Sequence, residues 1–421
     1  MKRILFPLML VLFAGSCVAA PVQTLSNGMR VSPKNGAAKT IEITVVNSHI
    51  VRVQAVPTRE IPQKASLCVV PGADSGTSFK VTTSSKLATL STGELTVKVT
   101  LDKGEVSFLD KSGKALLEEM PNGKSFKPFT AQNDHGYTMQ QVFKGTQGEA
   151  IYGLGQHQSD DFNYKNKSED LFQYNTKVSV PFIVSTGNYG ILWDNYSQSK
   201  YGDSRDYADL NQFELYDKDG NKGSLTATYT QKNAPTIVRK ETGIDYENLV
   251  TVKNFPANFN FNDGSIAWEG SFVPSKTDTY KFSLYYAGYT KVWINDSLVV
   301  PERWRTSWNP NTFRFKYDLV KDKKYKLKLE WKPDGGVSYI GLKALNVSDI
   351  EKNGNISFWS EMADKMDYYF VSGKDMDDVI SGYRTLTGKA SIMPRWAMGY
   401  WQSRERYKTQ AELLDAVSQF R

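Results

Sequence analysis

The residues of this chain best equipped for chemistry are its clustered acids, its three histidines and its two cysteines. Asp160-Asp161 and Glu169-Asp170 are paired carboxylates, the residue type used for acid/base and nucleophilic work. Neighbours on extended chain point to opposite faces, so neither pair converges on one bond. Asp217-Lys218-Asp219-Gly220 starts like a calcium loop. It lacks the terminal glutamate and the helical flanks, and reads as a hairpin turn. His49 and His135 stand alone, and His157 has no carboxylate or nucleophile nearby to complete a triad; it reads as a loop hydrogen-bonder. Cys68, in Leu67-Cys68-Val69-Val70, reads as a buried structural thiol. Gly153-Leu154-Gly155 fails as a phosphate loop, because no Gly-Lys-Ser/Thr ending follows and no helix opens. No metal or cofactor is called for by these residues.

The remaining chemistry-bearing positions lie near the carboxyl terminus, and the elements around them say where they should sit. Trp396-Ala397-Met398-Gly399-Tyr400-Trp401 is a short apolar run that predicts a strand buried on both faces. A polar segment, Gln402 to Tyr407, follows it. Thr409 and Glu412 have capping-box spacing, and Leu413, Leu414, Val417 and Phe420 give the predicted helix one apolar face. Strand, loop and helix read as the first βα unit of a (β/α)-barrel, whose site lies at the carboxyl ends of its strands. Trp401 and Gln402 are site candidates by that position. The chain ends at Arg421 inside the predicted helix, so the reading is of an enzyme's front portion, cut as its barrel begins.

At 421 residues, with 40% hydrophobic and 13% aromatic content, the chain should form two or three globular domains. Lys2-Arg3, the apolar run Ile4 to Phe13 and Ala19-Ala20 form a secretory leader over 1–20, too short in its apolar part to span a membrane. Ala14-Gly15-Ser16-Cys17 resembles a bacterial lipobox with Ala where Leu is usual. Lipidation of Cys17, which would anchor the protein to an outer membrane, and simple secretion are both open; either takes the protein out of the cytoplasm, to the periplasm or cell surface. The net charge of +7 does not indicate nucleic acid, because the lysines are scattered along alternating strands.

Period-two alternation at Ile41, Ile43, Val45 and at Leu95, Val97, Val99 predicts strands with one wet face, and Asp102-Lys103-Gly104 and Asp110-Lys111-Ser112-Gly113 predict hairpins between them. Residues 21–234 are read as an antiparallel β-sandwich. A second all-β unit spans 235–345, through Trp268-Glu269-Gly270, Asp278 to Leu284, Lys291 to Asp296 and Tyr325 to Trp331. Ile356 to Trp359 and Met366 to Val371 end the sandwich, and Asp375 caps a helix closed by Gly388, so 346–390 is sandwich end and linker helix. Residues 391–421 begin the barrel.

Tyr152-Gly153-Leu154-Gly155, Pro181-Phe182 and Tyr189 to Asn195 resemble the N-terminal, galactose-mutarotase-like sandwich of glycoside hydrolase family 31. Gly382 to Gly388 and Met393 to Gly399 are similar to that family's entry into its barrel, and the tract Gly155 to Gln158 with Glu169 to Asp206 is similar to its secreted bacterial α-xylosidases. The 235–345 insertion resembles a protective-antigen-type β-barrel module. It carries Tyr286-Ala287-Gly288-Tyr289 where calcium-binding modules have adjacent aspartates, and Tyr289, Trp304 and Trp308 could form an aromatic platform. The resemblance implies a mainly β fold leading into a truncated (β/α)8 barrel, and retaining hydrolysis of an α-linked, xyloglucan-type oligosaccharide. It implies that a loop before Pro181 reaches the sugar through Asn175, with Tyr174 behind it, and that Tyr407 helps hold the cleaved sugar. The catalytic aspartates it implies lie on later barrel strands, so the 421 residues alone are expected to be inactive. An α-glucosidase of the same family and a non-catalytic sugar-binding surface lipoprotein are the alternatives.

Overall fold

The computed structural model describes residues 21–73 and 76–420. The leader and Cys17 lie outside the described residues. Strands dominate, and they build two double-sheet units that share no sheet.

The sandwich pairs an eight-stranded antiparallel sheet with a nine-stranded one. In the first, Ile50–Val56 and Tyr189–Trp193 flank Met366–Ser372. In the second, Asp134–Phe143 and Ser199–Tyr201 flank Ile356–Ala363. Both predicted hairpins form, the first joining Leu95–Thr100 to Val106–Asp110, the second joining that strand to Ala115–Ala131. The two strands that end the sandwich therefore sit in the middle of its sheets, not at an edge. Alternate residues of both sheets face one core, where Phe370 stacks on Phe108 at 4.0 Å and Trp193 stacks on Phe358 at 5.4 Å. Aromatic pairs at such spacing add to the area they bury.

The outer face of the first sheet is covered by the predicted linker helix, Met376–Thr387. Asp375 caps it by accepting from the amide of Asp378, and Gly388 leaves it at φ 88°. Val379 and Leu386 are buried on that face, and Tyr383 stacks on Phe182 at 4.3 Å. Gly190 must be a glycine here, since a Cβ would come within 2.8 Å of both Phe182 and Val379.

The second unit begins earlier than the sequence pattern suggested. Ala208–Asp209 pairs with Ile340–Asn346, while Glu214–Asp217 and Leu225–Thr230 both pair with Ser265–Val273. Residues 208–234 thus belong to the insertion and not to the sandwich. Alternation at 214–230 is the same in either assignment, and only the hydrogen-bonded partner decides it. The module's five-stranded and seven-stranded sheets stay separate around one core, so it is a sandwich where a β-barrel was expected.

Two further expectations fail. Cys68 is exposed rather than buried. The segment Trp396 to Trp401 forms no strand: Arg395–Met398 is a 3₁₀ turn, with Trp396 69% and Trp401 63% exposed. A strand exists only with a hydrogen-bonded neighbour, and none of the described residues supplies one, so the Trp401 indole instead donates to the Ala397 carbonyl at 2.9 Å. The helix after it does form, over Gln410–Gln419, with Thr409 accepting from Glu412 N.

Because Phe370 is fully buried between Phe108 and Tyr189, Phe370→Ala should cost about 3–5 kcal/mol of stability. Chemical denaturation followed by tryptophan fluorescence measures it; a loss under about 1 kcal/mol would mean the site collapses freely.

Candidate functional site

The tract between Gln156 and Val178 leaves the first sheet, crosses the sandwich edge and returns as a tight turn. Lys177 N donates to Tyr174 O at 3.0 Å, which places Asn175 and Thr176 at the turn's tip. Asn175 is exposed there, and Tyr174 is partly so. Thr176 has φ 73°, a region that β-branched residues rarely enter. Gln173 braces the turn from inside, donating to Lys177 O at 2.8 Å and accepting from Ser179 N at 2.9 Å.

Beneath the turn lies a buried ionic cluster around Glu169. Its carboxylate is 3.7 Å from His157 Nδ1, 3.9 Å from Lys177 Nζ and 3.7 Å from Arg314 of the inserted module. A single buried carboxylate beside an imidazole is offset here by the charges of Lys177 and Arg314. His157 is the loop hydrogen-bonder expected, with Nε2 donating to Leu154 O at 2.7 Å, but it does have a carboxylate beside it. Only the fold brings Glu169 there. Lys177 also sits over the Tyr174 ring at 5.3 Å. Burial, with Glu169 and Asp170 nearby, pushes the Tyr174 phenol up, so it stays a neutral hydrogen-bonding hydroxyl.

The paired acids behave as buttresses. Asp160 pairs with Arg303 and Asp161 with Lys167. Asp170 accepts from Arg314 at 3.0 Å, so Glu169 and Asp170 share one guanidinium although their side chains leave opposite faces. Asp217 holds its hairpin, accepting from the amides of Asp219 and Asn221 at 2.9 Å.

The carboxy-terminal candidates form a separate cluster. Gln402 Nε2 donates to Tyr407 OH at 3.1 Å, Tyr400 OH bonds Gln402, and Arg404 lies over the Tyr407 ring at 5.1 Å. Among the described residues, no hydrogen bond, ion pair or ring contact joins this cluster to Tyr174 or Asn175. In the module, Tyr289 and Trp304 rings lie 6.2 Å apart, whereas Trp308 is 92% exposed and, among the described residues, makes no ring contact with either. Tyr289 also lines an open groove of about 390 Å³ with Thr228, Ser265, Lys291 and Glu330.

The residues that sequence reasoning missed are those of the module's docking face. Lys281 Nζ bonds Asp203 at 2.9 Å and Glu351 at 2.7 Å, and Arg205 grips the same Asp203. On the strand Asn311–Leu319, Phe313, Phe315 and Tyr317 turn toward the module core while Arg314 and Lys316 face the sandwich. Alternation reveals such a polar face but not what covers it.

Residues 40–202 match the glycosyl hydrolase 31 N-terminal galactose mutarotase-like domain, and residues 217–351 match a PA14 domain. Over 390 residues the chain is 25% identical to an alpha-xylosidase of Saccharolobus solfataricus, covering 90% of this chain and 33% of that protein. A stretch of 131 residues is 32% identical to a family 31 glucosidase of Pseudescherichia vulneris, over 25% of this chain and 24% of that one. The crystal structure of an alpha-xylosidase from Xanthomonas citri superposes with a TM-score of 0.86 at 37% identity, over 95% of this chain and 44% of that chain. This chain therefore spans less than half the length of these relatives.

Asp203 makes the docking contact pH-dependent. Burial raises its carboxyl, but bonds from Arg205 and Lys281 outweigh burial and hold it at about 2 against an ordinary 3.8. A depressed folded value stabilises the protein above the ordinary value, and that contribution disappears as pH falls toward 2. The stability difference between wild type and Asp203→Asn should therefore be full at pH 6 and shrink between pH 4 and pH 2. Denaturation midpoints across that range measure it, and a pH-independent difference would remove Asp203 from this role.

Proposed function

The chain carries a glycosyl hydrolase 31 N-terminal domain with a PA14 domain inserted in it, and from that premise we propose that it is the N-terminal portion of a retaining α-xylosidase acting on xyloglucan-type oligosaccharides. The observation that carries the reading is the likeness to the Xanthomonas citri alpha-xylosidase, which runs through sandwich, insertion and linker helix alike. Retaining hydrolysis needs one carboxylate as nucleophile and a second as acid/base, roughly 5–5.5 Å apart. In this reading both come from barrel strands that follow these 421 residues. The sandwich supplies the turn bearing Tyr174 and Asn175, whose amide can both donate to and accept from sugar hydroxyls. In this reading Tyr407, whose hydroxyl accepts from Gln402, helps form the subsite for the cleaved sugar, and Trp401 and Gln402 are further candidates beside it in the chain. Export, with or without a lipid on Cys17, suits an enzyme whose substrate is a plant-wall fragment. The match to a family 31 glucosidase keeps α-glucosidase as the second reading.

The longer protein that contains this chain should hydrolyse an aryl α-xyloside with retention, while residues 1–421 alone should not. Preference for the α-glucoside would select the second reading, and activity of the 421-residue chain would refute the placement of the carboxylates. In the longer enzyme, Asn175→Ala and Tyr407→Phe should each lower kcat/KM by about tenfold, the loss of one sugar hydrogen bond. Unchanged kinetics would take the residue concerned out of the subsite.

A further inference from the structure

We propose that the inserted module clamps the Tyr174–Lys177 turn, with Arg314 fixing its base and Asn309 its tip, so that Asn175 is held in one conformation. That Asn175 faces sugar rests on the function proposed above; the clamp itself does not.

The turn has reason to move. It is exposed, it projects from the sheet edge, and Thr176 at its tip carries the positive φ that only surrounding contacts can maintain. Two contacts from the module meet it. At the tip, Thr176 Oγ1 donates to Asn309 Oδ1 at 3.2 Å. Asn309 is itself tied down, donating from Nδ2 to Gln158 Oε1 at 3.4 Å, while Asn311 Nδ2 donates to Gln158 O at 3.0 Å. Both ends of the tract that bears the turn, at Gln158 and at Thr176, are thus bound to one module segment, Asn309 to Asn311.

At the base, Arg314 hydrogen-bonds two acceptors of the sandwich and stands at ion-pair distance from a third group. Nη1 donates to Ser168 O at 3.0 Å, Nη2 donates to Asp170 Oδ2 at 3.0 Å, and Glu169 Oε2 lies 3.7 Å away. Glu169 passes the constraint on through its other oxygen, Oε1, which faces Lys177 Nζ, and Lys177 covers the Tyr174 ring. A planar guanidinium can serve a carbonyl and two carboxylates from one position, whereas an ammonium cannot reach all three. Without Arg314, Glu169 and Asp170 would be left as neighbouring carboxylates with less cationic charge, and the strand entering the turn would lose its anchor.

Amide hydrogen exchange on this chain tests the clamp. In Arg314→Met and in Asn309→Ala, exchange over 172–178 should quicken by roughly tenfold or more, the effect of losing a hydrogen bond or charged anchor. Exchange over the module core strand Tyr325–Lys332 should be unchanged, and Arg314→Lys should recover part of the protection. Turn exchange equal to wild type in both variants would overturn the proposal. If Arg314→Met loses protection throughout the molecule, Asn309→Ala decides alone. In the longer enzyme, Arg314→Met should raise KM for a xyloglucan-derived oligosaccharide about tenfold with kcat little changed, since a displaced turn costs uniform binding. A loosened turn with unchanged KM would leave the clamp standing and remove Asn175 from the sugar site.

Discussion

Everything in this molecule depends on one strand, Met366–Ser372, being buried along its whole length. All seven of its residues are inside, hydrogen-bonded to Ile50–Val56 on one side and Tyr189–Trp193 on the other. Its faces differ. Tyr368 and Phe370 enter the sandwich core, where the Tyr368 hydroxyl donates to buried Glu119 at 2.9 Å. Tyr369 and Val371 join the smaller cluster under the linker helix. Asp367 takes two bonds from Arg52 and one from Gln54, so its burial is matched by donors. The sandwich cannot close its first sheet until this strand arrives, and it arrives only after the insertion has been traversed.

The geometry of the insertion makes that affordable. Its entry and exit lie side by side: Ser199–Tyr201 pairs with Ile356–Ala363, and Gly202 N donates to Ser357 O. A folded module whose ends already meet imposes little loop-closure entropy on its host. The same arrangement brings the module back against the sandwich through charged groups, with Lys281 between Asp203 and Glu351, and Arg314 over Glu169 and Asp170. Buried ion pairs of this kind add little net affinity, because desolvation offsets attraction. They are costly to misalign, however, and so they select one docking orientation. In that orientation the module strand Asn311–Leu319 faces the tract that carries Tyr174 and Asn175.

Much of this architecture was legible. Alternation at Ile41, Ile43 and Val45, the turn residues at 102–104 and 110–113, the Asp375 cap and the Gly388 stop each act within a few residues, and each element formed, although Thr40, Glu42 and Val46, on the face expected to be wet, are buried beneath other parts of the fold. The Thr409 cap formed too, although the Glu412 carboxylate accepts from Lys408 N and not from Thr409 N. The failures share a cause. The strand over 396–401, the boundary at 235 and the buried Cys68 all depended on which partner lay alongside, and periodicity does not name the partner.

The candidate site divides in the same way. That a loop before Pro181 carries Asn175 and Tyr174 was implied by the family resemblance, and the charges of Glu169, Lys177 and Arg314 were visible as residue types. Their meeting was not: Arg314 stands 145 residues after Glu169 in the chain, on a strand whose polar face looks merely solvated. By itself the sequence determined local conformation, since caps, turns and alternation are short-range effects of backbone and side-chain chemistry. Tertiary structure alone decided which charges are buried together, because pairing across such a separation is settled by how the module and sandwich dock.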